Sequence, residues 1–499
     1  MYMDKIKITM FHLSSSGSNN YYLYHAATKE LLAKYEIELL TDRQALYNRY
    51  IDHSDVYITT HGEYSSNYDK INIDMWHGFP LKGMAKMDKQ EEISDTHIHE
   101  HWAKMDMIMS YSSLYNTAMN ACNGGNISQY RITGLPRNDA LFSPHSKKNL
   151  ENLFPKINMD TGSVIFFMPT FRKSFVTPDK LEGGKNFSNI FGFSEMHQQN
   201  FIEFLEENDI TLVVKLHPFE EKYFTEELNA LSSEHIIILN DNLLSKNGMD
   251  LYDILGSADI LITDYSSVYI DYLLLERPIL FLPTDLEEYK GNRGFLFEPY
   301  DFWTPGPKAT TQHELQDTIS RFLVEPDWYK QERSTILTLC HKYQDHHSAS
   351  RIWELVDQYI EEHRDVIQQN REIFYKHKQL QSQIKAKINE MIELGQIAQA
   401  NQAIQQYLED NAADSEIYAM NGMLHLLNNN PQEAIETFEI GHRAFPWDED
   451  LIYNMGYVYE WIGDKTSALT HYQKALDQST QPKLTSLLLE KLSTLSSGS

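Results

Sequence analysis

The chain has 499 residues, 41% of them hydrophobic, 12% aromatic and 23% charged, with a formal net charge of −28. That length exceeds one ordinary core and predicts two or three globular domains. The acidic balance opposes nonspecific binding to nucleic acid or anionic lipid, both of which need basic patches, but leaves room for a local cationic cleft that takes a phosphate-bearing substrate.

The opening residues, MYMDKIKITMFHL, lack the long apolar core and cleavage site of a signal peptide and read instead as a first strand. No later stretch approaches the roughly 18 uninterrupted apolar residues of a membrane span. Cys122 and Cys340 are too few for a disulfide framework and fit a reducing cytoplasm. From residue 1 to about 155, short apolar runs (Ile6–Phe11, Ile37–Leu40, Val56–Thr59, Ile71–Trp76 and Met107–Ser110) alternate with helical stretches, the pattern of βαβ units around a parallel sheet. Residues 143–162 are polar and contain prolines, and are expected to link two domains.

A second set of runs follows at 163–168, 211–216, 236–239, 259–263 and 278–282. Their hydrophobicity is continuous rather than alternating, as in parallel strands covered on both faces. In such sheets ligands sit beyond the carboxyl ends of the strands. There lie Pro169-Thr170-Phe171-Arg172, His217-Pro218 and Asp264-Tyr265-Ser266-Ser267. From about 378 the chain reads as helical with a 34-residue period: Ala400, Ala434 and Ala468; Ile404, Phe438 and Tyr472; Gly422 and Gly456, with Ile388 one period earlier. That period resembles tetratricopeptide repeats, two of them clear (415–448 and 449–482) and one, beginning near 381, degenerate.

Several stretches carry chemistry. In NIDMWHGFPLKGM a strand stops at Trp76-His77-Gly78, with Lys82 five residues beyond the histidine. This is either a turn that contains a histidine or a general base beside a cation for an anionic substrate. After Asp264-Tyr265, Ser266 or Ser267 can cap the helix that begins VYIDYLLLE, and a helix start attracts anions. Proline after His217 fixes an extended exit from its strand, and Lys215 alternates onto the same face. Arg137, Arg172 and Arg293 (followed by Gly294) offer guanidinium forks that would bind a diphosphate if they converged. His97 and His101 have a workable zinc spacing on one helix, but no third ligand is evident and no metal site is expected.

Taken together, MWHGFPLKGM, ITGLPRNDAL, FMPTFR, VVKLHP, DILITDYSSVYIDYLLLERPILFL and YKGNRGFLFEPYDFWTPGPKATTQHEL, in this order over about residues 70–320, resemble the CDP-glycerol glycerophosphotransferase family. These are the teichoic-acid primases and polymerases and their capsule-synthesis relatives. The resemblance implies an α/β fold, a GT-B-type pair of Rossmann-like domains. The N-terminal, acceptor-side domain is expected at 1–155 and the donor-binding domain, with its closing helices, at 156–377. An all-α, TPR-like repeat domain would then occupy 378–495.

The resemblance also implies a reaction, the transfer of glycerol phosphate from CDP-glycerol to a hydroxyl of a glycan or poly(glycerol phosphate) acceptor with release of CMP. His77 and His217 would be catalytic, His77 as the base. Asp264, Ser266, Ser267, Arg293, Gly294, Thr170 and Arg172 would hold the donor phosphates, with Lys82, Arg137 and Gly17 on the acceptor side. No resident cofactor is expected, although Mg2+ can accompany the donor diphosphate. The alternatives are another polyol phosphate such as ribitol phosphate, a nucleotide-sugar glycosyltransferase on the same architecture, and a repeat scaffold with a degenerate transferase domain. The presence of His77, His217 and the TDYSS turn weighs against the scaffold. A cytoplasmic location is expected, peripheral at the inner face of the membrane, with the repeat region binding the acceptor polymer or assembly proteins.

Overall fold

The computed structural model describes residues 5–12, 17–41, 54–62, 70–88, 93–155, 162–172, 183–184, 188–231, 233–411, 414–446, 448–479 and 481–497. They divide into two compact units, one ending at His363 and the other running from Arg364.

The first unit contains two parallel sheets. One has six strands, β1 (Ile6–Phe11), β2 (Tyr35–Leu40), β3 (Val56–Thr59), β4 (Ile71–Asp74), β5 (Met107–Ser110) and β6 (Tyr130–Ile132), in the order β2-β1-β3-β4-β5-β6. The other has five, β7 (Ser163–Phe167), β8 (Ile210–Val214), β9 (Ile236–Ile238), β10 (Ile260–Thr263) and β11 (Ile279–Phe281), in the order β11-β10-β7-β8-β9. Every ladder is parallel. β3, β4, β5, β8, β10 and β11 are buried along their whole length, which fits the largely apolar sequences of all but β4, whose INID run also buries Asn72 and Asp74. The architecture is the expected GT-B-type pair of Rossmann-like sheets.

Several boundaries differ from expectation. β4 stops at Asp74 rather than Trp76, because the Asp74 carboxylate takes the Trp76 N–H at 2.7 Å and Trp76 turns to a φ of 50°. The three-residue β6 was too short to stand out by periodicity. The expected linker 143–162 contains a helix, Ser146–Leu153, anchored by buried Ser146 and Leu150; its residues 156–161 lie outside the described part.

The helix Ser348–Glu362, expected to close the second domain, returns to the first sheet's side. Asp139 accepts the free N–H groups of Ser348 and Ala349, and Trp353 Nε1 donates to the Leu23 carbonyl at 2.9 Å. The expected start of the repeats at 378 falls inside one continuous helix, Arg364–Glu393. Both cysteines are buried and free. Among the described residues no helix is long and apolar enough to cross a membrane.

The second unit is a run of helix pairs, Arg364–Glu393 with Ile397–Asp410, Ser415–Leu427 with Pro431–Ala444, and Glu449–Trp461 with Lys465–Gln478, followed by Pro482–Ser497. The 34-residue spacing recurs as a packing contact. Gly422 lies so close to Phe438 that a Cβ there would fall 2.4 Å from the ring, and Gly456 repeats this against Tyr472 at 2.7 Å. In the degenerate repeat Ile388 and Ile404 occupy these positions in one buried cluster. A glycine inside a helix costs about 1 kcal/mol relative to alanine, so it persists here for the close approach. Gly422→Ala should therefore destabilise the helical unit by about 1 kcal/mol, overpacking of ~1–3 kcal/mol outweighing the propensity gain. Urea unfolding followed by circular dichroism checks this, and an equal or raised midpoint would count against it.

Candidate active site

The WHG turn is built from below by a buried carboxylate. Asp74, fully buried at the end of β4, accepts the Thr59 hydroxyl and the Gly62 N–H at 2.8 Å each through Oδ2, and the Trp76 N–H through Oδ1. Asn19 Nδ2 donates to the Trp76 carbonyl at 2.8 Å. These bonds fix the backbone that presents His77.

The His77 ring stacks on His61, with centroids 4.5 Å apart and planes 20° apart, and its Nδ1 lies 3.0 Å from the Thr60 carbonyl. A carbonyl only accepts, so Nδ1 carries the proton and the Nε2 of the neutral ring keeps its lone pair. The ring is hemmed in by protein yet keeps a solvent-exposed face. Desolvation, then His61, Arg137 and Lys82, lower its pKa below the ordinary 6.5, and the Thr60 carbonyl partly opposes them.

Two contacts bring this turn to the second sheet. A Cβ at Gly78 would fall 2.8 Å from Ser267 Oγ and 3.4 Å from Arg137 Nη2, so the glycine lets the WHG backbone rest on the Asp264–Ser267 turn. Farther along, Lys82 and Phe295 form an antiparallel bridge, with Leu296 N donating to Leu81 O at 2.9 Å and Gly83 N to Gly294 O at 3.3 Å. Lys82 Nζ lies 5.4 Å from the centroid of the Phe171 ring, which in turn packs 4.6 Å from the ring of His217. His77, Gly78, Lys82, Phe171, His217 and Ser267 are thus linked at the carboxyl ends of the two sheets.

On the second sheet's side, Asp264 orients the turn after β10, accepting the Thr170 and Tyr265 N–H groups at 2.8 and 2.5 Å. Ser267 is the N-cap residue of the short helix Val268–Tyr272, but no side-chain capping bond is formed, which corrects the expected capping role. Ser266 and Ser267 are half-buried. Thr170 is buried, and its hydroxyl has no hydrogen-bond partner among the described residues.

The arginines do not converge as free cations. Arg172 is fully buried, bonded to Asp285 through Nε and Nη2 (2.7 and 2.9 Å), paired with Asp264 at 2.9 Å and donating to the Thr170 carbonyl at 2.6 Å. Its guanidinium also lies over Tyr265 and Tyr289. Its donors are spent within the loops after β7, β10 and β11, as a structural cross-brace and not as the free phosphate ligand expected. Arg137 is buried as well. Nη1 donates to the carbonyls of Gly17 (3.0 Å) and His77 (2.9 Å), and Nη2 to Asp271 at 2.6 Å.

Gly17, at a φ of 71°, holds its N–H on Asp250 at 2.7 Å and packs on Tyr252, so it joins the two sheet domains by its backbone. Arg293 pairs with Asp88 at 2.6 Å, and with Gly294 it lines a cavity of about 530 Å³ whose walls include Met87, Lys290 and Phe295. Lys215 turns to Asp241 at 3.2 Å instead of sharing a free face with His217. His101 and His99 are bonded to the carbonyls of Gly62 and Gly124.

Sequence reasoning passed over Asp74, Asn19, Thr60, His61 and Asp271. Of these Asp271 left a signal, a lone carboxylate in the apolar helix VYIDYLLL, which needs a buried cation.

The family model described as CDP-Glycerol:Poly(glycerophosphate) glycerophosphotransferase matches residues 10–358. The teichoic acid ribitol-phosphate polymerase TarL of Staphylococcus aureus is 29% identical over 224 residues, 44% of this chain and 35% of the relative. A teichoic acid poly(glycerol phosphate) polymerase of Bacillus spizizenii is 26% identical over 259 residues, 50% of this chain and 60% of the relative. The chain thus spans about a third to three fifths of the length of these two relatives. The solved structure of the wall teichoic acid polymerase TagF superposes with a TM-score of 0.57 at 19% identity, covering 72% of this chain and 90% of that one, and shares its fold. With a family model matched across both sheets, the chain belongs to the CDP-glycerol:poly(glycerophosphate) glycerophosphotransferase family.

Proposed function

We propose that the chain transfers a polyol phosphate, in the first instance glycerol phosphate from CDP-glycerol, to a hydroxyl of a glycan or poly(glycerol phosphate) acceptor in the synthesis of a teichoic-acid-like or capsule polymer. The observation that carries this reading is the seating of Gly78 on Ser267, which sets a histidine with a free Nε2 beside the hydroxyl-bearing turn of the second sheet. His77 Nε2 takes the proton of the acceptor hydroxyl. The acceptor oxygen bonds to the glycerol-bearing phosphorus, the bond from that phosphorus to the CMP oxygen breaks, and CMP leaves.

Ser266, Ser267 and the buried Thr170 hydroxyl are suited to donate to phosphate oxygens, with Lys82 supplying positive charge and His217 an imidazole donor as the leaving phosphate forms. Arg172, Arg137, Asp264 and Gly17 support this arrangement from behind. A Mg2+ ion carried in on the diphosphate would add charge neutralisation there.

Ribitol phosphate is the second reading. It is favoured by the relatives of Staphylococcus aureus named as ribitol-phosphate polymerases, one of which is 29% identical over 227 residues. CDP-glycerol and CDP-ribitol offered in parallel, with CMP release as the readout, separate the two.

Acceptor-dependent CMP release should fall by about 10²-fold or more in His77→Ala, the scale of a lost general base. A variant that keeps wild-type turnover would remove His77 from the chemistry. Because its surroundings lower the His77 pKa, the neutral base persists below the ordinary value. kcat/KM should therefore stay flat as pH falls through 6.5 and decline only on the more acidic side. An acid limb centred above 6.5 would contradict this environment.

Arg172→Met should act on the fold rather than on the donor. It leaves Asp264 and Asp285 buried without their cation, a loss of about 3–5 kcal/mol in comparable pairs. The expected result is a large fall in Tm. An unchanged Tm with donor binding abolished would instead return Arg172 to the phosphate site.

A further inference from the structure

Asp271 is fully buried in the helix that follows the Ser266-Ser267 turn, and its two oxygens have different partners. Oδ2 accepts from Arg137 Nη2 and from the Tyr252 hydroxyl, both at 2.6 Å, and Oδ1 accepts from Asn138 Nδ2 at 3.1 Å. Arg137 and Asn138 belong to the first sheet's domain and Tyr252 to the second's. The Arg137 guanidinium, 4.9 Å over the Tyr252 ring, spends its other terminal nitrogen, Nη1, on the carbonyls of His77 and Gly17. An unbroken hydrogen-bonded path therefore runs from the helix of the donor turn, through one guanidinium, to the backbone of the candidate base.

We propose that Asp271 is a positioning residue for His77. By fixing the Arg137 fork it sets where the WHG turn stands relative to Ser267, and so couples the placement of the base to the turn that takes the donor. This rests on the assignment of His77 as the base. Asp271 touches no substrate; its effect travels through Arg137. A carboxylate is required because a planar guanidinium that serves two carbonyls on one nitrogen needs a charged acceptor on the other to stay oriented in a dry site. Reactions that depend on alignment lose about 10²-fold for a displacement near 1 Å, so a slackened fork is expected to lower turnover without removing any group that meets the donor.

The test uses Asp271→Asn and Tyr252→Phe in the full chain, each with thermal denaturation as a folding check. For Asp271→Asn the expected result is a ~10- to 100-fold fall in kcat for acceptor-dependent CMP release. Half-saturation by CDP-glycerol should stay within about threefold, since the donor's contacts are untouched. The nitrogen resonances of the His77 ring, assigned by their loss in His77→Ala, should move.

Tyr252→Phe keeps the ion pair and removes one of its supports. It should show the same split and the same direction of resonance shift at smaller size, and it carries the test if Asp271→Asn fails to fold. A folded Asp271→Asn with wild-type kcat and unmoved His77 resonances overturns the proposal, as does a donor half-saturation that rises in step with the loss of rate. If the wild type releases no CMP from either CDP-polyol, the assigned reaction fails separately. The His77 resonances then decide the positioning role alone: a shift in either variant upholds it and none overturns it.

Discussion

A guanidinium sealed from bulk water must meet carboxylates and carbonyls or it does not stay buried, and Arg137 meets both. Its partners come from four separate parts of the chain: Gly17, the His77 carbonyl, Asp271 and the face of Tyr252. Two of these lie in the first sheet's domain and two in the second's, so satisfying one buried charge already dictates how the sheets face each other. Breaking such a pair costs more than its formation gains, because the stranded partner stays desolvated. That asymmetry makes Arg137–Asp271 a constraint on domain geometry more than a source of net stability. The backbone bridge between Lys82 and Phe295 adds a second fixed point on the same boundary. The WHG turn itself rests on Ser267 at Gly78.

The same logic applies at Arg172, which ties the loop after β7 to Asp264 at the end of β10 and to Asp285 beyond β11. Strands that are parallel and adjacent in a sheet deliver their following loops to one edge, but sheet geometry alone leaves those loops loose. A buried cation shared by two of them draws them together. In this chain Arg137 and Arg172, which the sequence offers as phosphate ligands, serve as internal ties between loops, while Arg293 pairs with Asp88 beside a cavity.

Much of this was legible in the sequence because it follows from periodicity. Parallel strands covered on both faces must be continuously apolar, so the strands of the second sheet and most of the first announce themselves, and the polar residues that end them mark the ligand edge. The 34-residue register of Gly422 and Phe438, repeated by Gly456 and Tyr472, was legible for a related reason, since a glycine is needed where two helices come closest. The role of each cation was not legible. Whether Arg137 or Arg172 faces solvent, ligand or carboxylate depends on contacts between residues more than a hundred positions apart, Arg137 with Asp271 and Arg172 with Asp285. Nothing in the spacing of one motif encodes the other. Asp271 and Asp74 show where the missing information sat: each is a lone carboxylate in or beside an apolar run, and burial turns such a residue from a surface charge into the organiser of a turn.

Under the proposed reaction an acidic chain must receive a diphosphate, an electrostatic problem on which the geometry of the site bears. The two fully engaged arginines are paired locally with Asp271, Asp264 and Asp285, although Arg137 still lowers the pKa of His77. What remains there is Lys82, the imidazole of His217 and oriented dipoles, the hydroxyls of Ser266, Ser267 and Thr170. Fixed dipoles stabilise charge that develops during a reaction without having to reorganise, and they do so most effectively in a site partly withdrawn from water. They also leave His77 less burdened by positive neighbours than three unpaired guanidinium groups would. A base must be neutral to work, and each free cation nearby would lower its basicity further. Under the proposed reaction, committing the arginines to carboxylates eases two demands that oppose each other, a pocket that receives phosphate oxygens and an imidazole whose basicity desolvation, His61, Arg137 and Lys82 already lower.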